Sequence, residues 1–481
     1  MSWRVFVLLL CVVAWALAVE DPPPALEKLV NQQTGQLLPT IPPLSGKVLT
    51  LEECYEIALV SHPQLSVQRA QVDVALAQAD NAWSRYNPTL AGNLNRSWNT
   101  ISPFALPIQV TNNQTQIGLN VTHTIWDFGQ RQAQAESAEW SLRSAFFGFQ
   151  KARLDQFQAV QAAYVQVLSN ELTMAIQAAN YDRTLFMQDF ATRLYKSGQK
   201  SMIDVSQATT QTAAAQVALQ QAKNQVQNAR LALAQAVGID GTKLLDRPLE
   251  PILEQPVQAP SREQALVELE NNPGLLNLET QALSLEWTAE YQLRTNNPTV
   301  AGGILWGLQG MNQPESRFWQ AGLSVTVPFY TPGVASQARQ FRAQAAQVRY
   351  NKDNTRLQLV QQLDTAYSDL DWSEKRVQAA RREVELALAN LALAYKRYRA
   401  GLADITEQIN ARSFVNSAQN DYASAFVSRK LAEGRLLQVI GQLPLAPQYD
   451  PARPQIPVPA LPPLPKGLLP EAPARLGEDE R

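Results

Sequence analysis

Asn87-Pro88-Thr89-Leu90-Ala91-Gly92 returns 210 residues later as Asn297-Pro298-Thr299-Val300-Ala301-Gly302, and this recurrence decides the fold. Proline has no N–H to donate and pushes the residue before it toward extended backbone, so each Asn-Pro pair closes a helix and opens a strand. Working outward, His62-Pro63 recurs as Asn272-Pro273 at the same offset. Leu119-Asn120-Val121-Thr122 with Gly129 comes back as Leu323-Ser324-Val325-Thr326 with Gly333, now 204 residues on, so the intervening loop has lost six residues. Tyr195-Lys196-Ser197-Gly198 returns as Tyr398-Arg399-Ala400-Gly401, and Val237-Gly238 as Ile440-Gly441, both at 203. The chain is two copies of a unit of about 200 residues, too long a period for solenoid repeats of about 20 to 50.

Prolines outline the elements within each copy. None of the 30 lies between Pro107 and Pro248 or between Pro332 and Pro444, and those gaps are the long helices. Thr50-x-x-Glu53 and Ser261-x-x-Gln264 are capping-box patterns, and Pro63 and Pro273 stand where a first helical turn tolerates proline. A helix is expected from there to about Tyr86 and Asn296. Period-two alternation follows. Ile117, Leu119, Val121, His123 and Ile125 alternate with Gln116, Gly118, Asn120, Thr122 and Thr124. In the second copy Trp319, Ala321, Leu323, Val325 and Val327 alternate with Gln320, Gly322, Ser324 and Thr326. Leu90, Leu94 and Trp98, then Val300, Ile304, Trp306 and Leu308, supply the other two strands. The expected strands are 88–98, 115–126, 298–309 and 317–328. Each copy therefore reads helix, hairpin, long helix, helix, a mainly α protein with a small β part.

The helices are built for a rod. Residues 335–398 would span about 95 Å as one helix. Within them Leu363, Leu370, Val377, Val384, Leu391 and Tyr398 recur every seven residues. Ala366, Ser373, Ala380, Ala387 and Ala394 follow three places later. This heptad seam implies left-handed supercoiling. The returning helices carry alanine columns, Ala208, Ala215, Ala222, Ala229 and Ala236 against Ala411, Ala418, Ala425, Ala432 and Val439, which permit close approach. The other faces are rich in Gln, Ser, Thr and Asn, as suits a wall with water on both sides.

Composition narrows function. Charged residues are 17% of the 481, against about 25% in ordinary soluble domains, and the net charge is −2. That is no footprint for nucleic acid. Cys11 and Cys54 are the only cysteines, His62 and His123 the only histidines. They allow no disulfide framework and no Cys-based zinc site, and no catalytic motif accompanies them, so neither cofactor, metal nor enzymatic activity is expected.

Arg4, the apolar run Val5 to Val13 and Ala16-Leu17-Ala18 form a secretory signal over residues 1–18. The run is shorter than the roughly 18 residues that a spanning helix needs. Later helical segments are studded with polar residues, so any membrane crossing falls to the strands. Four strands cannot close a membrane barrel of about eight or more. Copies must pool them, giving 8, 12 or 16 in a dimer, trimer or tetramer.

With these features the chain resembles the TolC family of outer-membrane efflux proteins over residues 49–443. The resemblance rests on the duplicated helix-hairpin-helix-helix order, the paired Asn-Pro strand starts and the paired glycine helical tips. It implies a homotrimer with a 12-stranded outer-membrane β-barrel continuous with a periplasmic α-helical barrel. It further implies a periplasmic adaptor and an inner-membrane pump of the RND or ABC type as partners. The implied function is the exit channel of a tripartite efflux system, or the exit duct of a type I protein secretion system. A soluble periplasmic coiled-coil scaffold is the alternative from another class.

Site residues follow from the same resemblance. Trp126-Asp127-Phe128-Gly129 resembles the family's strand-to-helix corner, with Asp127 and Gly129 in the first copy and Gly333, without the Asp, in the second. Glu407 and Asn410, counted from Gly401, and Asp204, counted from Gly198, match the acidic periplasmic gate. Tyr195, Gly198, Tyr398 and Gly401 would meet the adaptor. Trp98, Trp126, Trp306, Trp319 and Tyr330, at strand ends, would form aromatic girdles against outer-membrane lipid. The units are expected as 49–240 and 261–443. Pro-rich segments 19–48 and 241–260 would wrap the helical barrel, and a Pro-rich tail, 444–481, would be extended.

Overall fold

The structure is a computed structural model, and it describes residues 48–101, 110–241, 247–250, 260–311 and 313–441. The signal, most of the two Pro-rich connectors and the tail lie outside these residues. In chain order the elements are α1 (Leu51–Ser61), α2 (Pro63–Ser84), β1 (Thr89–Ile101), β2 (Val110–Trp126), α3 (Gln130–Lys196), α4 (Met202–Val237), α5 (Arg262–Leu269), α6 (Pro273–Arg294), β3 (Thr299–Met311), β4 (Ser316–Thr326), α7 (Val334–Arg399) and α8 (Ile405–Ile440). Each copy adds one short helix ahead of the expected four parts. His62 and Asn272 break the two apart as N-caps, their side chains accepting from the N–H groups of Gln64 and Gly274. Ser261 and Gln264 form a reciprocal capping box. Thr50 makes its half of the other, accepting from Glu53 N–H at 3.0 Å.

The 67 residues of α3 and 66 of α7 make two rods of about 100 Å each. α3 packs against α2 and α6 toward one end and against α4 and α8 toward the other, while α7 packs against α6 and α8. The heptad reading of α7 holds where it matters: Leu363, Ala366, Ser373, Ala380, Val384, Ala394 and Tyr398 are buried. All five members of the α8 column, Ala411 to Val439, are buried too, as are Ala208, Ala215, Ala222 and Ala229 of α4. Methyl-sized side chains in register let two backbones run close along many turns, which is how a core forms in a structure only one helix pair thick. No helix among the described residues is long and apolar enough to cross a membrane.

The four strands form one antiparallel sheet in the order β1-β2-β3-β4. The first hairpin reaches further than its hydrophobic pattern, to Ile101 paired with Val110.

The middle of the rod is pinned by a strap. Leu49 and Leu249 form a parallel bridge, and the buried Tyr164 hydroxyl donates to the carbonyls of Leu49 at 2.9 Å and Glu250 at 2.7 Å. Tyr367, its counterpart 203 residues on, donates to the Pro260 carbonyl at 2.6 Å. Arg230 joins buried Glu171 and also donates to the Arg247 carbonyl at 2.9 Å. Cys54 lies beneath this strap, and burial with the neighbouring Glu53 carboxylate pushes its thiol up to about 12. The neutral thiol therefore persists at pH 9, and maleimide labelling of Cys54 in the folded protein is expected to be negligible until denaturant is added.

Gly238 and Gly441 end α4 and α8 in left-handed conformation, with φ of 80° and 85°. A Cβ on Gly238 would stand 2.8 Å from the His62 Cα, whereas one on Gly198, at φ 74°, meets nothing within 4 Å. Gly198→Ala should cost about 1 kcal/mol from backbone conformation alone, and Gly238→Ala about 2 to 3 kcal/mol because His62 must also move. Urea unfolding of the detergent-solubilised variants checks this; equal losses would mean that the α1–α2 junction yields freely.

Candidate functional site

Three regions could carry function: the sheet, the corners where strands enter helices, and the far tip of the rod. On the sheet, register puts Leu90, Leu94, Ile117, Leu119, Val121, Ile304, Trp306, Trp319, Leu323 and Val325 on one face. All of these are exposed, from 37% for Val121 to 75% for Leu94. The opposite face carries Asn93, Asn95, Gln116, Asn120, Gln320 and Ser324. It also carries glycines at close approach, where a Cβ on Gly307 would run into the Ile117 carbonyl. A sheet that leaves its apolar face exposed and keeps its other face polar and glycine-lined is unlike a soluble hairpin, which buries its apolar face, and fits a wall between lipid and water.

The girdle residues do not all sit at strand ends, which corrects that expectation. Trp126 and Tyr330 lie at the end next to the helices, joined there by exposed Phe128 and Phe329. Trp306 and Trp319 face each other across β3 and β4, seven residues from Thr299 and Thr326. Trp98 lies nine residues from Thr89. Trp98 pairs with Asn113 while Trp306 pairs with Leu119, so Trp98 stands six residues further along the ladder than the Trp306–Trp319 pair.

At the first corner Asp127 is buried and organises the turn. It accepts from the N–H of Gly129 at 3.2 Å and of Arg131 at 3.0 Å, and from Arg131 Nε at 2.7 Å. Arg131 in turn donates to the Arg85 carbonyl and lies 4.6 Å over the Tyr86 ring. Gly129 takes φ 81°, and Arg294 donates to its carbonyl at 2.9 Å. The second corner keeps Gly333 at φ 99° but has no side-chain cap. Thr331 stands in the Asp127 position and bonds Asn296 instead.

The tip turns on Gly198 and Gly401, both at φ 74°. Tyr195 is 45% exposed, with Leu402, Met202 and Ile203 also open at the turns. Tyr398 is not: it is 0% exposed, which corrects its assignment to an outer contact surface. It packs with Met187, Ala191, Ala208 and Ile405, edge-on to Phe190 at 6.1 Å, with Lys200 Nζ 4.6 Å over its ring. Burial, then the carboxylates of Asp204 and Asp404, push its hydroxyl up to about 12. Asp204 is likewise buried, so it faces the protomer's interior rather than a pore. Glu407 sits in the first turn of α8 and pairs with Arg397 at 3.0 Å, so its charge is partly cancelled. Asn410 is exposed.

Higher in the rod Arg412 is buried and donates to Gln211 at 3.2 Å. Its charge and burial hold Arg183 down at about 10, burial being the larger cause. Arg397, Asp404 and Lys200 were missed by sequence reading. The Asp404-x-x-Glu407 spacing at a helix start was the available signal for two of the four groups now seen together. Among the described residues no group of His, Cys, Asp and Glu could hold a metal ion.

The sheet and rod together fit part of a wall between lipid and water. The chain belongs to the outer membrane efflux protein family, whose model matches residues 54–239 and 268–442. It is 25% identical over 417 residues to the outer membrane efflux protein BepC of Brucella suis, covering 83% of this chain and 89% of that one. The outer membrane protein VceC of Vibrio cholerae has the same fold, with a TM-score of 0.73 at 18% identity, covering 82% of this chain and 96% of VceC. The CmeC outer membrane channel of Campylobacter jejuni also scores 0.73, at 13% identity, covering 90% and 91%. The repeated α-β-α-α unit is thus that of known family protomers. The chain is an outer-membrane channel of tripartite efflux or secretion systems, extending into the periplasm, and not an enzyme. Membership implies an adaptor and an inner-membrane pump as partners.

Asp127→Ala should unfasten the first corner. It strips two backbone N–H groups and a half-buried guanidinium of their acceptor, an expected loss of about 2 to 4 kcal/mol. Thermal unfolding in detergent checks this, and Thr331→Ala at the second corner should cost less than about 1 kcal/mol because its partners remain exposed.

Proposed function

We propose that three copies of this chain pool their sheets into a 12-stranded outer-membrane barrel, set on a helical barrel that crosses the periplasm and meets the adaptor at its tip. The observation that carries this reading is the four-stranded sheet whose apolar face is exposed and whose edges, β1 and β4, are unpaired in the protomer. Lipid offers no hydrogen bonds to an open edge, so closure with further copies is the way to satisfy it. Cleavage after Ala18 would deliver the chain through the secretory route. BepC is named as an outer membrane efflux protein, which supports the efflux reading, with an RND or ABC type pump as partner, over the exit duct of a type I secretion system.

At the tip the turns at Gly198 and Gly401, with Tyr195, would receive the adaptor. Glu407 and Asn410 would line the closing constriction, while buried Asp204 and Tyr398 hold α4, α7 and α8 together behind it. Carboxylates repeated around a pore favour cations. Here Arg397 tempers each Glu407, so the two residues have opposite effects. Three chains by particle mass and discrete single-channel steps in a planar bilayer are expected, and a monomer without steps would sink the proposal. Within that channel Glu407→Gln should lower the cation-to-anion permeability ratio and Arg397→Ala should raise it, each by about twofold. Reversal potentials in a salt gradient measure both, and no change in either variant would reduce Glu407 to a helix-dipole role.

A further inference from the structure

Charge is scarce on the four strands, and where it occurs it has one sign and lies on one face. Apart from His123, the ionisable side chains of the strands are Arg96 on β1 and Arg317 on β4. Register places both on the apolar face, Arg96 between Leu94 and Trp98, and Arg317 beside Trp319. Both are exposed. Among the described residues neither joins an ion pair, and Glu315, in the turn before β4, does not reach Arg317. Arg317 pairs with Leu308, and Arg96 pairs with Thr115, which stands opposite Gly310, so the two lie two residues apart along the ladder, between the Trp306–Trp319 pair and Trp98.

Counted along the ladder from Val300, which pairs with Trp126, a rise of about 3.3 Å per residue and a tilt of about 40° put the two guanidinium groups roughly 20 to 25 Å above the level of Trp126. That is the outer edge of the apolar band, where lipid head groups begin. A cation there escapes most of the cost of burial in hydrocarbon. Arg96 also stacks 5.1 Å from the Trp98 ring centre, which holds it against the protein's side. Planar guanidinium forks match phosphate oxygens, and the apolar residues below match acyl chains.

We infer that Arg96 and Arg317 bind the phosphate groups of a phosphorylated lipid in the outer leaflet, with the indole rings and leucines below them receiving its chains. This rests on the proposed barrel in one respect: β1 and β4 are opposite edges of the sheet, and closure sets β4 of one copy beside β1 of the next. The two arginines then share one seam. A free anion would gain nothing from the apolar flank, and the open face holds no pocket for it.

The test titrates phosphorylated lipid A into the detergent-solubilised full chain and counts bound lipid by native mass spectrometry, with conductance recorded in parallel. Arg96→Gln combined with Arg317→Gln should weaken lipid binding at least about tenfold, each single change less, with the assembly mass and single-channel current unchanged. Dephosphorylated lipid should bind the wild-type protein as weakly as phosphorylated lipid binds the double variant. Equal binding by the double variant, equal binding of the dephosphorylated lipid, or displacement by equimolar inorganic phosphate would each overturn the inference at constant assembly mass. A particle with the mass of one chain would instead overturn the barrel reading, and the seam with it.

Discussion

Backbone hydrogen bonding in lipid is the constraint on which the rest of the structure depends. A strand in hydrocarbon has no water to satisfy its N–H and C=O groups, so every ladder must find a protein partner. This chain pairs β1 through β4 internally and leaves two edges over. The exposed apolar face is tolerable only against acyl chains, and the glycine-lined polar face only against water. Both demands are met when the edges meet those of other copies. In the proposed trimer the helices would take up a circular arrangement, and their alanine columns and heptad seam allow a wall one helix pair thick.

Duplication explains why the two halves do similar work with different chemistry. Tyr164 and Tyr367 each reach a connector carbonyl, and Gly238 and Gly441 each end a return helix against the junction of the two helices that open a copy. These positions answer to backbone geometry, which a duplicated fold repeats. The corners diverge because side chains can satisfy one turn in several ways. Asp127 with Arg131 builds a closed network in one copy, while Thr331 with Asn296 makes a single bond in the other. The first corner is thereby the stiffer of the two.

At the tip the balance is between packing and charge. Tyr398 and Asp204 are drawn inside by the aromatic cluster of Phe186, Phe190 and Tyr395. Glu407 remains half-exposed beside Arg397. An exposed pair is worth little in stability, so it can be remade at little cost if the tip opens, whereas the buried cluster resists rearrangement.

The order of elements, the duplication, the heptad and alanine seams and the alternating strands were all legible in the sequence. Proline breaks, sevenfold spacing and period two are local consequences of backbone chemistry. The corner residues Asp127, Gly129 and Gly333 came from the resemblance to the family and not from a pattern in the residues alone. Tertiary structure alone decided that Tyr398 and Asp204 turn inward, that Glu407 meets Arg397, and that Trp306 and Trp319 stand opposite each other, six residues along the ladder from Trp98. Those facts depend on which helix faces which and on strand register, set by contacts between residues far apart in the chain. A sequence records the period of a side chain along its own element; only the packed structure fixes what stands opposite.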